Sequence, residues 1–312
     1  MKRVLLFAWV LMFLLAACGP QTPAEDPNLV YTQAAGTVVA QLTAVSALTP
    51  SVTPSLTPEP TATVTETPVP TETPAPSPTP SPTWIWNPAG KATAPILAYG
   101  TVGEGSSAED DTPVEVFDQH LLTLQQAGYT PITLAQLSEA VYKGANLPQR
   151  PVVITFDKNS AGIYTQAFPR LQKYGYVATV FTVVNEIDTN GKLTTQQLKD
   201  LAAAGWEIGS SGMSRINLTG MPELLSQEIA GSREELQKKL GVPITSFAYP
   251  GGAVNDFVAA RVANYGYYAG ATLLATFDHY AGSLFYLGRF AVRNNQDMTN
   301  FLAMLPWKPA NP

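Results

Sequence analysis

The chain has 312 residues, 45% of them apolar, so it can build a sizeable hydrophobic core. Its net charge is −6, and lysine and arginine form no cluster. This argues against nucleic acid as a partner, because phosphate binding needs concentrated basic charge. A single cysteine, Cys18, excludes an intrachain disulfide and any cysteine-based metal site.

The first eighteen residues predict an export signal. Lys2 and Arg3 precede an apolar run from Val4 to Leu15, which is too short to span a bilayer comfortably. The run ends in Leu-Ala-Ala-Cys at Cys18, which resembles the bacterial lipoprotein signal. The resemblance implies an extracytoplasmic protein that is anchored to the cell membrane by a lipid on Cys18. An ordinary signal peptide with a chance cysteine stays open as the alternative.

Two segments follow before the composition becomes that of a globular domain. Residues 19–48 are rich in Ala, Thr and Val and predict a short helix or no fixed structure. Residues 49–83 hold 11 Pro and 11 Thr, and proline removes backbone donors and fixes φ, so this stretch cannot pack as helix or sheet. We expect an extended stalk on the order of 100 Å long, with a linker of no required length as the alternative.

Residues 84–312 predict one α/β domain. Short β-rich runs at 152–156, 177–184, 207–209 and 245–249 alternate with helix-like segments. A glycine in the left-handed conformation commonly closes a helix. Such glycines follow the helix-like segments at Gly128, Gly144, Gly175, Gly205, Gly241 and Gly266. The alternation predicts a parallel sheet with helices outside, either a barrel or a doubly wound sheet, with the site at the carboxyl ends of the strands.

Four segments at these strand ends carry a resemblance to a known family. They are Val152–Asn159, Ala178–Phe181, Ala204–Leu218 and Ser246–Gly252. With an entrance strand at 94–99, their order and spacing resemble the NodB homology region of the polysaccharide deacetylases, from residue 94 to residue 293. The resemblance implies a distorted (β/α) barrel of about seven parallel strands. It also implies metal-assisted hydrolysis of N-acetyl groups on a glycan such as chitin or peptidoglycan.

The site residues of this family map onto the chain only in part. Active members carry two consecutive Asp, a general base and a metal ligand, and two later His spaced i, i+4 that complete a site for zinc or another divalent ion. Here Asp157 matches the base, whereas Lys158, Ser211 and Arg215 stand at the three ligand positions. Ammonium and guanidinium groups offer no lone pair to a cation at neutral pH, so we predict no metal and no other cofactor.

Other positions of the family pattern also differ or match without carrying a ligand. Asn159 replaces the glycine that usually follows the two Asp, and Tyr99-Gly100 replaces a Tyr-His pair. Leu287–Arg289 stands where many members have a catalytic His. Tyr249 and Pro250 match a loop that forms the groove wall, whose backbone at the tyrosine helps to hold the reacting oxyanion.

Two hypotheses concern the charges of this site. We expect Lys158 and Arg215 to pair with Asp157 in place of the ion, because a nearby positive charge favours the carboxylate form. The alternative is that both side chains point into solvent. A different metal set of Asp157, Asp278 and His279 is also open, although His279 follows no ligand spacing.

The remaining aromatic side chains suggest packing or sugar contacts. We expect His120 and His279 to be surface or helix-side histidines, and Trp206 to belong to the core. Aromatic rings can also stack on sugars. Candidates for such stacking are Trp84, Trp86, Tyr164, Tyr249, Tyr280 and Trp307.

Three functions are compatible with these observations. The first is a surface-held relative of the deacetylases that lacks metal-dependent activity and binds peptidoglycan, a chitin-like polymer or another N-acetylated glycan. The second is an active carbohydrate deacetylase with an atypical site, and the third is a structural or partner-binding lipoprotein. The replacements at Lys158, Ser211 and Arg215 favour the first and third over the second.

Overall fold

A computed structural model describes residues 83–103 and 109–309 of the chain. The predicted signal with Cys18, residues 19–48 and the stalk up to residue 82 lie outside the described residues. Within the described part, no helix has the length and apolar character needed to cross a bilayer.

The described chain contains fourteen strands and seven α-helices. The strands are β1 (Trp84–Asn87), β2 (Lys91–Thr93), β3 (Ile96–Tyr99), β4 (Thr101–Val102), β5 (Asp111–Thr112), β6 (Thr130–Ile132), β7 (Ala145–Pro148), β8 (Pro151–Phe156), β9 (Thr179–Thr182), β10 (Glu207–Ser210), β11 (Ser246–Ala248), β12 (Ala269–Ala271), β13 (Asp278–Tyr280) and β14 (Phe290–Ala291). The helices are α1 (Val114–Gln126), α2 (Leu134–Lys143), α3 (Phe168–Lys173), α4 (Thr195–Ala203), α5 (Ser232–Leu240), α6 (Asp256–Asn264) and α7 (Met298–Ala303).

The main sheet is parallel and curls toward a barrel. Its strands follow the order β12-β11-β10-β9-β8-β3-β14, and β6 pairs with the amino half of β8. A parallel bridge between Ala271 and Leu287 brings the segment that leads into β14 beside β12, at the far edge of the sheet. The predicted distorted barrel of about seven parallel strands is therefore confirmed.

Strand β8 shows why this sheet forms from the sequence. All six of its residues are buried, because a parallel strand is covered on both faces. Val152, Ile154 and Phe156 lie in the core beneath the outer helices, whereas Val153 packs in a second core inside the barrel. The side-chain alternation of a strand thus decides which residues after β8 can face the interior.

The helices end at the predicted glycines, although Gly144, with ψ 141°, is not in the left-handed helical conformation. The glycine after each of the six helix-like segments has a positive φ, between 66° and 87°. Helices α2 and α4 each begin with a capping box, formed by Thr133 with Gln136 and by Thr194 with Gln197.

Helix α2 covers the amino end of the barrel. Its first residues donate backbone hydrogen bonds to the starts of two strands, from Leu134 to Thr179 Oγ1 (3.0 Å) and from Ala135 to Glu207 Oε2 (2.7 Å). Ser246, at the start of β11, donates to the other carboxylate oxygen of Glu207. Desolvation raises the pKa of Glu207 above its usual value, and these hydrogen bonds oppose the shift. With the amino end covered, the carboxyl end is left for the predicted site.

Candidate functional site

Asp157 is held by an arginine from the other end of the domain. It follows β8 with the same side-chain parity as Val153 and Thr155, so it faces the barrel interior. Arg289 Nη1 lies 2.7 Å from Asp157 Oδ1, and Nη2 lies 2.9 Å from Oδ2, which is a bidentate ion pair. Arg289 is fully buried, while 21% of the Asp157 side chain is exposed.

The guanidinium of Arg289 is fixed by further contacts. Its Nε donates to the Thr272 carbonyl (3.0 Å) and Nη1 also donates to Thr155 Oγ1 (3.1 Å). The group lies 5.2 Å from the centre of the Phe181 ring, within cation–π range. The position of Arg289 was apparent from the sequence, but its partner was not.

The predicted pairing of Lys158 with Asp157 is wrong. Lys158 Nζ lies 3.2 Å from Asp111 Oδ1 and 3.6 Å from Asp110 Oδ2, at the short β4–β5 pair. Lys158 lies beyond the last residue of β8, and its side chain is 27% exposed. The two residues that follow Phe156 therefore belong to different ion pairs.

The predicted pairing of Arg215 with Asp157 is wrong as well. Arg215 forms no ion pair with any residue of the described ranges, and its φ is +62°. Ser211 is buried and donates from Oγ to the Ala248 carbonyl (3.1 Å). Neither side chain contributes a metal ligand in this arrangement. Arg215 carries a guanidinium, and the Ser211 hydroxyl is hydrogen-bonded to Ala248 of β11.

The loop that carries Ser211 and Arg215 is anchored by Glu228. This buried carboxylate accepts hydrogen bonds from the backbone N–H groups of Met213 (2.8 Å) and Ser214 (3.0 Å). It also accepts one from the Ser214 hydroxyl. The loop shape is thus determined by a carboxylate on the segment that precedes α5.

Asn159 occupies the position that is glycine in the family pattern. Its φ is +52°, in the left-handed region that glycine and, after it, asparagine adopt most readily. The residue is fully buried, and its side-chain amide has no hydrogen-bond partner among the described residues. The substitution keeps the backbone turn after Asp157 while placing an unpaired polar group in the interior.

Tyr249 and Pro250 do not line an open groove. Both are buried, and the Tyr249 hydroxyl donates to the Phe285 carbonyl (3.0 Å). The Tyr249 N–H donates to the Ala271 carbonyl (3.1 Å), so this backbone donor is already paired within the sheet. The buried ring is not available for sugar stacking, and the paired N–H agrees with a loop that keeps its shape rather than one that binds an oxyanion.

Both histidines are buried, so neither is a surface histidine; His120 is on a helix, as the helix-side alternative expected, whereas His279 is on β13. His120, on α1, shares a hydrogen bond with the Tyr99 hydroxyl through Nδ1 (3.1 Å) and stacks on Phe301 at a centroid distance of 3.7 Å. Burial lowers the pKa of His120 to about 4 and raises the pKa of Tyr99. His279 lies with Nε2 2.9 Å from the Ala94 carbonyl, and burial lowers its pKa too.

The remaining aromatic predictions divide between core and surface. Trp206 lies in the core, stacked on Phe156 at a centroid distance of 5.8 Å, which confirms its packing role. Trp307 packs against Tyr129, whereas the side chains of three candidates for sugar stacking are substantially exposed. These three are Trp84, Trp86 and Tyr280.

The residues of this site do not fit a divalent metal ion. Among Asp157, Lys158, Ser211 and Arg215, only Asp157 carries a carboxylate, and both of its oxygens accept hydrogen bonds from Arg289. Asp278, the other candidate, is paired with Lys91 at 2.9 Å and with Thr93 at 2.6 Å. Over residues 83–103 and 109–309, no group of three or more His, Cys, Asp and Glu side chains could hold a metal ion.

Comparison with known proteins finds similarity to polysaccharide deacetylases over part of this chain. Residues 144–270 match the family model described as polysaccharide deacetylase. YxkH of Bacillus subtilis (strain 168), named for the same family, is 30% identical over 182 residues, which cover 58% of this chain and 64% of YxkH. The poly-beta-1,6-N-acetyl-D-glucosamine N-deacetylase of Staphylococcus epidermidis is 30% identical over 140 residues, covering 40% of this chain and 48% of that protein. The chain thus matches less than two thirds of the length of either relative.

Solved structures show the same fold. The Streptococcus pyogenes deacetylase PplD, in complex with acetate, superposes with a TM-score of 0.62 at 23% identity, over 72% of this chain and 99% of PplD. A polysaccharide deacetylase from Bacillus cereus gives a TM-score of 0.62 at 22% identity, over 69% of each chain. The family model, the relatives and the shared fold together support a polysaccharide deacetylase-like domain in this chain.

Proposed function

We propose that this protein binds N-acetylated glycan and has no metal-dependent deacetylase activity. The lack of metal-dependent activity is supported by the bidentate pairing of Asp157 with Arg289. It is also supported by the residue types at the three ligand positions, which are Lys158, Ser211 and Arg215. A deacetylase of this family needs a divalent ion to polarise the acetyl carbonyl and activate water. In this chain both carboxylate oxygens of Asp157 accept hydrogen bonds from the guanidinium of Arg289.

The glycan part of the proposal is supported by the fold and by the relatives. Several of the matched proteins are named for N-acetylglucosamine polymers. We therefore expect the full chain to be retained on insoluble chitin or peptidoglycan, or to bind soluble β-1,6-linked N-acetylglucosamine oligosaccharides. If the chain binds none of these glycans, glycan binding is contradicted, and a partner-binding or structural lipoprotein becomes the proposed function.

The lack of activity is tested by metal content and acetate release. The full chain should hold far less than one zinc or cobalt ion per molecule and should release no acetate from N-acetylglucosamine oligosaccharides with either metal added. The variant Lys158→Asp, Ser211→His, Arg215→His should gain stoichiometric zinc, measured by elemental analysis, because it restores carboxylate and imidazole ligands. Arg261→His, an added imidazole on α6, is the matched control and should gain none.

The competing function is an active deacetylase with an atypical site, which the names of the relatives favour. Acetate release by the unmodified chain, abolished by Asp157→Asn, would establish that function and remove the proposal. One bound zinc or cobalt ion per unmodified chain would contradict the proposal that the site holds no metal.

We further propose that the chain is exported and held at the cell membrane by a lipid on Cys18. The apolar run before Leu-Ala-Ala-Cys supports this, and Cys18 is the only thiol of the chain. Metabolic labelling with a fatty acid should mark the full chain, and Cys18→Ser should abolish the label and shift the protein from the membrane fraction. Equal labelling of both forms would contradict the anchor.

A further inference from the structure

A cavity lies at the amino end of the barrel, opposite the candidate site. It has a volume of about 590 Å³ and is bordered by α2, by the starts of β11 and β12, and by the segment Ala281–Tyr286. Asp157 follows the carboxyl end of β8, whereas Thr245 and Tyr268 at the cavity precede β11 and β12. The two places are thus at opposite ends of a parallel sheet. This volume is within the range of small-molecule sites in proteins.

The cavity is edged by exposed tyrosines. Tyr142 is 71% exposed and Tyr268 is 67% exposed, and neither hydroxyl is hydrogen-bonded to a residue that the structure describes. Phe285 and Leu284 form an apolar part of the wall. An aromatic ring with a free polar end suits a ligand that has both C–H faces and hydroxyl groups.

The charges around the cavity cancel. Lys143 and Glu139 both line it, and their side chains pair at 2.9 Å across one turn of α2. Binding of a polyanion would need cations that are not already paired with carboxylates. Binding of a lipid chain would need a deep apolar channel, without the polar side chains of Glu139, Lys143 and Tyr142 at its edge. The lining therefore favours a neutral, polar ligand with apolar faces, which is the chemistry of an uncharged sugar.

The aromatic surface continues beyond the cavity. Trp86, 64% exposed, lies against Gly144, where a Cβ atom would come within 2.8 Å of the indole Cζ2. Gly144 follows Tyr142 and Lys143 directly in the chain, so Trp86 lies next to the end of α2 that lines the cavity. Trp84 has the same side-chain parity on that strand and is also exposed.

We propose that this cavity and the adjoining tryptophans are the glycan-binding site of the protein, for a neutral N-acetylglucosamine chain. The proposal rests on the proposed function, which it deepens by moving the glycan away from the carboxyl end of the barrel. There the corresponding side chains are engaged with one another, as Asp157 is with Arg289 and Ser211 with Ala248. One sugar ring occupies the cavity, and the following residues of the chain stack along Trp86.

The test measures binding of N-acetylglucosamine hexamers, β-1,6- and β-1,4-linked, to the full chain by calorimetry. Tyr142→Ala with Tyr268→Ala should weaken binding about tenfold, since each removes a stacking ring. Thr245→Phe, which fills the cavity without deleting a ring, should weaken it as well. Phe257→Ala, a similarly exposed aromatic on α6, is the matched control and should leave the affinity unchanged.

The outcomes separate this inference from the proposed function. Hexamer binding that is unchanged in the tyrosine and Thr245 variants, but weakened by Arg215→Ala, would place the glycan at the carboxyl end and overturn the inference alone. No binding by the unmodified chain would overturn both. The thermal unfolding temperature of each variant should equal that of the unmodified chain. Such a result shows that a lost affinity does not come from a loss of folding.

Discussion

At the scale of single residues, the ion pair of Asp157 with Arg289 is the strongest feature of the site. Removing one partner of a buried pair leaves the other charge uncompensated, which costs about 3–5 kcal/mol. We expect Arg289→Met to lower the free energy of unfolding by about this amount, measured by urea denaturation. Arg293→Met is the matched control, because its pair with Glu109 at 2.6 Å is exposed and should contribute under about 1 kcal/mol. Equal losses in the two variants would contradict the buried role of Arg289.

A second prediction at this scale concerns His120 and pH. Its pKa in the folded chain is about 4, below the 6.5 of the free side chain, because burial disfavours the charged form. The unfolded chain therefore binds the proton first, so stability present above pH 6.5 is lost as the pH falls toward 4. The loss should be about 3 kcal/mol for this residue alone.

The measurement is the free energy of unfolding between pH 7 and pH 4, compared with that of His120→Phe. The variant lacks the titrating ring, so its stability should fall less steeply over this interval. His279 titrates in the same direction and remains in both proteins, so the difference between the two curves reports His120. Parallel curves would show that His120 is not buried as described.

At the scale of elements, the helix ends depend on glycine where the backbone is left-handed. Gly241 closes α5 with φ +74°, its N–H bonds to the Gln237 carbonyl, and no atom lies within 4 Å of an added Cβ. Gly241→Ala should therefore cost about 1 kcal/mol through backbone strain alone. Gly220→Ala, which also meets no atom and has no positive φ, should change stability by less than about 0.5 kcal/mol. Thermal unfolding of the two variants compares the effects.

At the scale of the whole molecule, the closing segment of the barrel depends on Arg289. Thr272 N–H bonds to the Leu287 carbonyl (2.7 Å) and Leu287 N–H to the Gly270 carbonyl (2.8 Å), and Arg289 Nε bonds to the Thr272 carbonyl. We expect Arg289→Met to accelerate hydrogen exchange at Thr272 and Leu287 more than at the β8–β9 amides. Uniform acceleration at all of these amides would instead mean that the variant destabilises the fold globally.

The main strands and helices and their α/β alternation could be predicted from the sequence, because they depend on local patterns, whereas the barrel was expected from the family resemblance. The apolar run of β8, the glycines after the helices and the family segments at strand ends are each readable within about ten residues. The departures at Lys158, Ser211 and Arg215 were equally visible, because a missing ligand is a property of the residue type. Asn159 also belongs here, since the family pattern showed that its position favours glycine.

The sequence could not show which charged side chains form ion pairs with one another. Lys158 and Arg215 were expected at Asp157, but Lys158 pairs with Asp111. The partner of Asp157 is Arg289, which lies 132 positions further along the chain. The burial of His120 and the cavity beside Tyr142 and Tyr268 likewise arise from segments far apart in sequence. The sequence by itself determined the α/β alternation and the residue types at Asp157, Lys158, Ser211 and Arg215, since both are local properties of the chain. Only the tertiary structure decided the ion pairs and the cavity, because these depend on distances that no local pattern encodes.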